Sequence, residues 1–179
     1  MGESGLANIH YREATVADSR AVAEVHVRSW RESFADIVPQ TFMDKLSVDN
    51  RTKAFEERFS ERSYKMYVAE VPNRGIVGFA DFGEPRESFG TYEAELYAIY
   101  LLLEFQRKGI GAKLFGLIIE ALVSRGKNSM YLLALEVSPY RTFYEKMGGG
   151  VTGRKQFALE GIMFDTLVYG WESLRSKSG

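Results

Sequence analysis

Residues 92–114 read YEAELYAIYLLLEFQRKGIGAKL. Residues 92–103 become steadily more apolar, the pattern of a strand buried on both faces. Gln106 to Gly111 then form a short turn. From there Ile110, Leu114, Leu117, Ile118, Ala121 and Leu122 fall on one face of a helix. Glycines at 109 and 111 let the backbone pass close to a ligand with no Cβ in the way. A helix start also presents free N–H groups and the positive end of its dipole. Together with Arg107 and Lys108 these features suit a phosphate or pyrophosphate. The turn is not a P-loop, because no Gly-Lys-Ser/Thr closes it. It is not a dinucleotide fingerprint either, because Leu114 holds the third glycine position. Taken alone, the six residues fit a plain tight turn equally well.

Working outward, alternating residues 8–14 predict a first strand. Thr15 with Asp18 resembles a capping box that opens a helix carrying Val22, Val25, Trp30 and Phe34. That helix ends before Pro39, and a short helix spans 40–46. Ser47 caps a third, with Val48, Phe55 and Phe59 on its face. The period then changes to two. Residues 65–70 and 76–82 read as strands joined by the turn Pro72-Asn73-Arg74-Gly75, with a polar loop over 84–90. Downstream, 129–135 is a strand, and Ser138-Pro139 reads as an N-cap with proline in the first helical position. Tyr140, Phe143, Tyr144 and Met147 share a face of that helix, which Gly148 ends. Strands at 150–157 and 162–170 close the chain. The fold class is α/β of the α+β type, one domain with helices set between strands of a mixed sheet. Residues 1–7 are expected to be loose, 8–172 to form the domain and 173–179 to be a tail.

The 179 residues favour a single domain with a real core. A net charge of −1 with no basic stripe argues against nucleic acid. No apolar run approaches the ~20 residues of a membrane span, and the first residues lack the form of a signal peptide. The expected compartment is the cytoplasm, with no membrane partner. The absence of cysteine removes disulfides, thiolate metal sites and a cysteine nucleophile. His10 and His26 are the only histidines and cannot make a three-histidine metal site, so no metal is expected.

Residues 95–114 resemble the central motif of the GNAT superfamily of N-acyltransferases, Gln/Arg-x-x-Gly-x-Gly/Ala, filled here by Gln106, Gly109 and Gly111. SPYRTFYEKMGG, residues 138–149, is similar to a second family motif, and RSWRESFADIVPQTFMDKLS, residues 28–47, to a segment common in one branch. The resemblance covers residues 8 to about 171. It implies a mixed, mostly antiparallel sheet of about six or seven strands, splayed at the cofactor site, although no residue pattern here marks the bulge that splays it.

The resemblance further implies acetyl-CoA as acyl donor. Backbone groups of Ile99, Tyr100 and Leu101 would line the pantetheine arm, and one N–H on this strand would steady the thioester oxygen. Amides of Arg107, Lys108, Gly109, Ile110, Gly111 and Ala112 would hold the pyrophosphate. Ser138 stands where many relatives carry asparagine beside the cofactor, and Gly148-Gly149-Gly150 replaces a common Gly-Phe, which is expected to loosen the link into the next strand. Tyr144 is the candidate acid for the leaving thiolate, since a tyrosine near pKa 10 stays protonated at neutral pH; the alternative is a core tyrosine. Glu95 is the candidate base, directly or through water, with Glu93 two residues earlier on the same face. The alternative is a solvated strand-end glutamate that at most attracts a cationic acceptor, a preference that Asp36 and Glu93 would share. Trp30, Phe34 and Asp36 fall where this branch shapes its acceptor pocket. The acceptor would be a small amine, an amino-acid-like compound or a peptide N-terminus, and the protein a monomer or homodimer. The competing function is a non-catalytic acyl-CoA sensor.

Overall fold

In the computed structural model, which describes residues 8–175, the capping box at Thr15 forms as expected: the Thr15 N–H donates to Asp18 Oδ2 at 2.8 Å. Arg12 holds both Asp18 oxygens at 2.9 Å, so strand β1 (His10–Glu13) and the following turn are tied together. The box opens a 3-10 turn, Val16–Asp18, before helix α1 (Ser19–Phe34) begins. Helices α2 (Gln40–Lys45) and α3 (Val48–Phe59) follow, and the Ser47 side chain caps α3 by accepting from the Asn50 N–H at 3.3 Å. The remaining elements are β2 (Lys65–Val71), β3 (Gly75–Gly83), β4 (Glu95–Leu101), α4 (Ile110–Ser124), β5 (Met130–Leu135), α5 (Arg141–Lys146), β6 (Gly150–Leu159) and β7 (Ile162–Trp171). The expected loose residues 1–7, and 176–179 of the expected tail, lie outside the described residues.

The seven strands form one sheet in the order β1-β2-β3-β4-β5-β7-β6. Every neighbouring pair is antiparallel except β4 and β5, which are parallel. Strand β3 is buried along nearly its whole length because both faces of the sheet are covered there. On one face Phe79 meets α1 and α3, its ring 6.4 Å from His26 and 5.7 Å from Phe55. Helix α4 covers the other face with buried Ile110, Leu114, Ile118 and Leu122. A second apolar cluster joins Phe34 at the end of α1 to Met43 of α2, Leu135 of β5 and Leu159 at the β6–β7 turn. It closes the end of the sheet towards which β4 and β5 run.

At the site the structure departs from the sequence reading in three places. Strand β4 starts at Glu95 rather than residue 92 and gives way after Leu101 to a 3-10 turn, Leu103–Phe105. Helix α5 starts at Arg141, not at Pro139, because Ser138 Oγ accepts the Tyr140 N–H at 3.2 Å and forms a local turn first. The triple glycine does not loosen the link into strand β6. Gly148, at φ +88°, ends the helix, and a Cβ on Gly149 would lie 2.6 Å from the Trp171 ring. The Trp171 indole N–H also donates to the Met147 carbonyl at 2.9 Å, so α5 is clamped to β7.

Candidate active site

Strands β4 and β5 share a single registered pair, Glu95 with Tyr131. The cause lies on the other side of β4. Asp81 pairs with Ala98 and Phe82 with Leu96, which leaves Tyr97 as an extra residue on β4. Such a bulge bends its strand away from a regular ladder. Beyond Glu95 the edge of β4 that faces β5 has no strand partner, and Ile99, Tyr100 and Leu101 border an open slot. Leu101 and Tyr100 point to opposite faces. Leu101 Cδ1 lies 3.2 Å from where a Cβ on Gly111 would sit, whereas the Tyr100 ring is 5.1 Å from His26 on α1.

The mouth of the slot is the 106–111 turn. Gln106 Nε2 donates to the Leu101 carbonyl at 3.2 Å and to the Tyr140 hydroxyl at 3.3 Å, and Ser29 Oγ donates to the same carbonyl at 3.2 Å. Gln106 therefore ties the end of β4 to the approach of α5. Arg107 (φ 61°) and Gly109 (φ 81°) both adopt left-handed backbone, which turns the chain sharply into α4. The arginine bears a strain that glycine would not. Gly109 is the N-cap, so the first N–H groups of α4, from Ile110, Gly111 and Ala112, have no partner within the helix. Arg107 and Lys108 are exposed beside them. Gly111 is needed for contact: its missing Cβ leaves room for Leu101 at 3.2 Å and Phe143 at 3.3 Å.

Tyr144 lies on α5, its ring 5.6 Å from Phe143 and 5.5 Å from Tyr169. Burial, and then the neighbouring Tyr100, Tyr169 and Tyr140 hydroxyls, push its pKa well above the ordinary tyrosine value. Among the described residues its hydroxyl accepts and donates no hydrogen bond. Ser138 lies one turn before α5, its hydroxyl engaged by the Tyr140 N–H.

The two glutamates separate. Glu95 is only 1% exposed, so it is not a solvated strand-end residue. Its Oε1 accepts from Arg86 Nε (3.1 Å) and Nη2 (2.5 Å). Its Oε2 accepts from the Arg86 N–H and the Tyr131 hydroxyl, both at 2.8 Å. Four donors fill the lone-pair positions of a carboxylate. Direct proton abstraction by Glu95 would first require Arg86 to move. Glu93 is not on the strand: it lies before β4, where its carboxylate accepts the Asn128 N–H at 2.5 Å and its own N–H donates to Ser129 Oγ at 3.2 Å. The shared face expected of Glu93 and Glu95 is absent for that reason.

Trp30 and Phe34 meet at 4.7 Å with their rings tilted by 31°, and Trp30 also meets Phe42 (5.3 Å) and Tyr100 (6.4 Å). Both aromatics therefore belong to the wall that reaches the slot. Asp36 is exposed on the turn after α1. Sequence reasoning missed Arg86, Tyr131 and Tyr97 at the apex of the slot, and Arg51, Arg58 and Asp81 beside it. Each is an ordinary residue in a charge-rich or apolar stretch, and they meet only through the packing of α3 and of the loop after β3 on the sheet.

A parallel pair splayed by a bulge, opening on a glycine turn and a helix start, is the arrangement that the resemblance to the GNAT superfamily implied. Residues 25–149 match the model of the acetyltransferase (GNAT) family, and the chain belongs to that family. It is similar to the uncharacterized N-acetyltransferase YuaI of Bacillus subtilis, 35% identical over 91% of this chain and 92% of that protein. It is also similar to the L-amino acid N-acyltransferase MnaT of Escherichia coli, 31% identical over 66% of each. The crystal structure of the PaiA N-acetyltransferase of Thermoplasma acidophilum, in complex with coenzyme A, superposes with a TM-score of 0.64 at 20% identity. That match covers 89% of this chain and 98% of the other. The protein is an acetyltransferase. No helix of the described residues is long and apolar enough to cross a membrane.

Proposed function

We propose that the protein moves the acetyl group of acetyl-CoA to a primary amine by direct attack in a ternary complex. The observation that carries this reading is the single Glu95–Tyr131 pair, which leaves a slot leading straight to the 106–111 turn. The residues present suit a CoA-type group. The unpartnered N–H groups at Ile110 to Ala112, the dipole of α4 and the exposed Arg107 and Lys108 favour a pyrophosphate. The free edge of β4 at Ile99 to Leu101 offers backbone bonds to an amide-bearing arm. When bound, acetyl-CoA supplies an acyl group already activated as a thioester.

In this reading the chain's own residues do three things. The β4 edge orients the carbonyl and offers N–H groups to its oxygen. Tyr144, held protonated by burial and free of other partners, gives a proton to the sulfur as it leaves. Glu95 and Arg86 fix the apex of the slot, and the proton of the attacking amine passes to water unless Arg86 swings aside. The acceptor is a small amine, an amino-acid-like compound or a peptide N-terminus, and Trp30 and Phe34 shape the end at which it arrives. MnaT, named for L-amino acids, supports the amino-acid option. Thiol release from acetyl-CoA across an amine panel tests the reading. The protein adds no thiol background because it has no cysteine. Failure to bind acetyl-CoA would overturn it.

A further inference from the structure

The face of β4 opposite the phosphate-type turn carries an imbalance of charge. Arg51, Phe55 and Arg58 recur at helical spacing on one side of α3. Phe55 is 3% exposed and packs against His26 and Phe79 at 6.1 and 5.7 Å, so this side faces α1 and the sheet. Arg58 Nη1 lies 3.3 Å from Asp81 Oδ2, which also accepts the Tyr64 hydroxyl at 2.9 Å. Arg86 is spent on Glu95. Arg58 and Arg86 both sit over the Tyr97 ring, at 5.4 and 4.6 Å. Three guanidinium groups therefore share this face with two carboxylates: Glu95 is fully engaged, and Asp81 is engaged through Oδ2 only, its Oδ1 buried without a hydrogen-bond partner, so the face keeps one cation in excess.

Arg51 is the one left over. It is half-buried, yet among the described residues its side chain makes no ion pair and no hydrogen bond. Its surroundings repel rather than compensate the charge: burial and Arg58 lower its pKa, while only Tyr100 and Asp81 favour its charged form. Beside it His26 is buried and held neutral, its pKa lowered to about 3. A second donor is also unmatched. The Trp30 indole N–H is buried without a hydrogen-bond partner, although it lies near the Tyr100 hydroxyl. Partly desolvated cations are ordinarily paired. The chemistry missing from this face is an anion, and a carboxylate matches the two-pronged donor geometry of arginine.

We propose that Arg51 binds a carboxylate of the acceptor, so that the amine acetylated here is that of an amino acid rather than a polyamine. The proposal rests on the acetyltransferase reading and on acceptor entry from the α1–α3 face, opposite the turn that suits the pyrophosphate. It reverses the sequence expectation of a cation-seeking site. Of the acidic residues placed at the site by the sequence, Glu95 is bound to Arg86 and Glu93 is turned to the Asn128 backbone, while Asp36 of the expected acceptor pocket lies out in solvent.

The test uses acetylated products, which carry no amine to titrate. N-acetyl derivatives of L-phenylalanine, L-leucine and L-glutamine, each with its carboxamide counterpart, are titrated calorimetrically into the full chain saturated with CoA. The expected result is that at least one acid binds about 10-fold or more tightly than its amide. Arg51→Gln removes that difference, Arg51→Lys restores part of it, and both variants keep the wild-type affinity for CoA. Equal binding of acid and amide, no binding of any acid, or a preference that survives Arg51→Gln would each overturn the proposal. Failure of the wild type to bind CoA would instead strike the acetyltransferase reading, and the first titration reveals it separately.

Discussion

Glu95 and Tyr131 meet twice at the apex of the slot: their backbones form the one registered pair between β4 and β5, and the Tyr131 hydroxyl donates to Glu95 Oε2 at 2.8 Å. Arg86 fills the remaining positions on the carboxylate. The point from which the two strands part is thus fixed by a buried carboxylate paired with a half-exposed arginine, not by a ladder of backbone bonds.

Glu95→Gln removes the charge that Arg86 answers and keeps the shape. The expected loss of stability is about 2 kcal/mol, below the range for a fully buried pair because Arg86 is partly exposed. It is read from urea unfolding. Turnover falls with it, but the pH profile of kcat/KM keeps its shape, because the carboxylate has no free lone pair for a proton. Loss of the acidic limb of that profile would assign Glu95 the role of base after all.

The turn separates backbone strain from crowding. A Cβ on Gly109 meets nothing within 4 Å, so Gly109→Ala bears only the left-handed angle, about 1 kcal/mol. On Gly111 it would press on Leu101 and Phe143, so Gly111→Val pushes the start of α4 away from the end of β4. Calorimetry is expected to show acetyl-CoA affinity reduced several-fold in Gly109→Ala and by more than 10-fold in Gly111→Val. The reverse order would mean that the amides, not the approach of the helix, limit binding.

Two buried titrating groups act in opposite senses on stability. The pKa of His26 is lowered by burial, and further by Arg51 and Arg58, to about 3 from an ordinary 6.5. Its contribution is therefore present above pH 6.5 and is lost as pH falls towards 3. Asp81 is raised by burial to about 6 from 3.8, so its contribution is present below pH 3.8 and is lost as pH rises through 6. Between these limits the two largely cancel. Replacing His26 by leucine removes one of them. Across pH 6 to 4, His26→Leu is expected to gain on the wild type by up to ~1.4 kcal/mol per pH unit, measured by chemical denaturation at each pH. Parallel curves for the two proteins would show that His26 is not held neutral by the fold.

Much of this architecture is legible in the sequence because local chemistry decides it. The Thr15–Asp18 box, the Ser47 cap and the apolar run into Gln106-x-x-Gly-x-Gly all formed where the residues called for them. What escaped depends on register between distant strands. No pattern in 92–103 marks Tyr97 as a bulge, since its identity suits a regular strand as well. On a strand running from residue 92, Glu93 and Glu95 would fall on one face; with β4 starting at Glu95, Glu93 turns to the Asn128 backbone instead. Ser138 and Pro139 carry good helix-start chemistry, but a competing side-chain bond to Tyr140 delays the helix. Arg51 and Arg86 are single cations in segments full of charge, and only their neighbours in space set them apart.

The most direct measurement is thiol release from acetyl-CoA by the wild type and by Tyr144→Phe, with acetyl-CoA affinity measured for both proteins. The amine panel spans amino acids, amides, polyamines and a short peptide. The expected result is turnover with one acceptor class, reduced about 100-fold or more in Tyr144→Phe, with affinity for acetyl-CoA unchanged. Equal turnover in the two proteins would remove Tyr144 from the chemistry, and a wild type that binds no acetyl-CoA would contradict the reading of the slot itself.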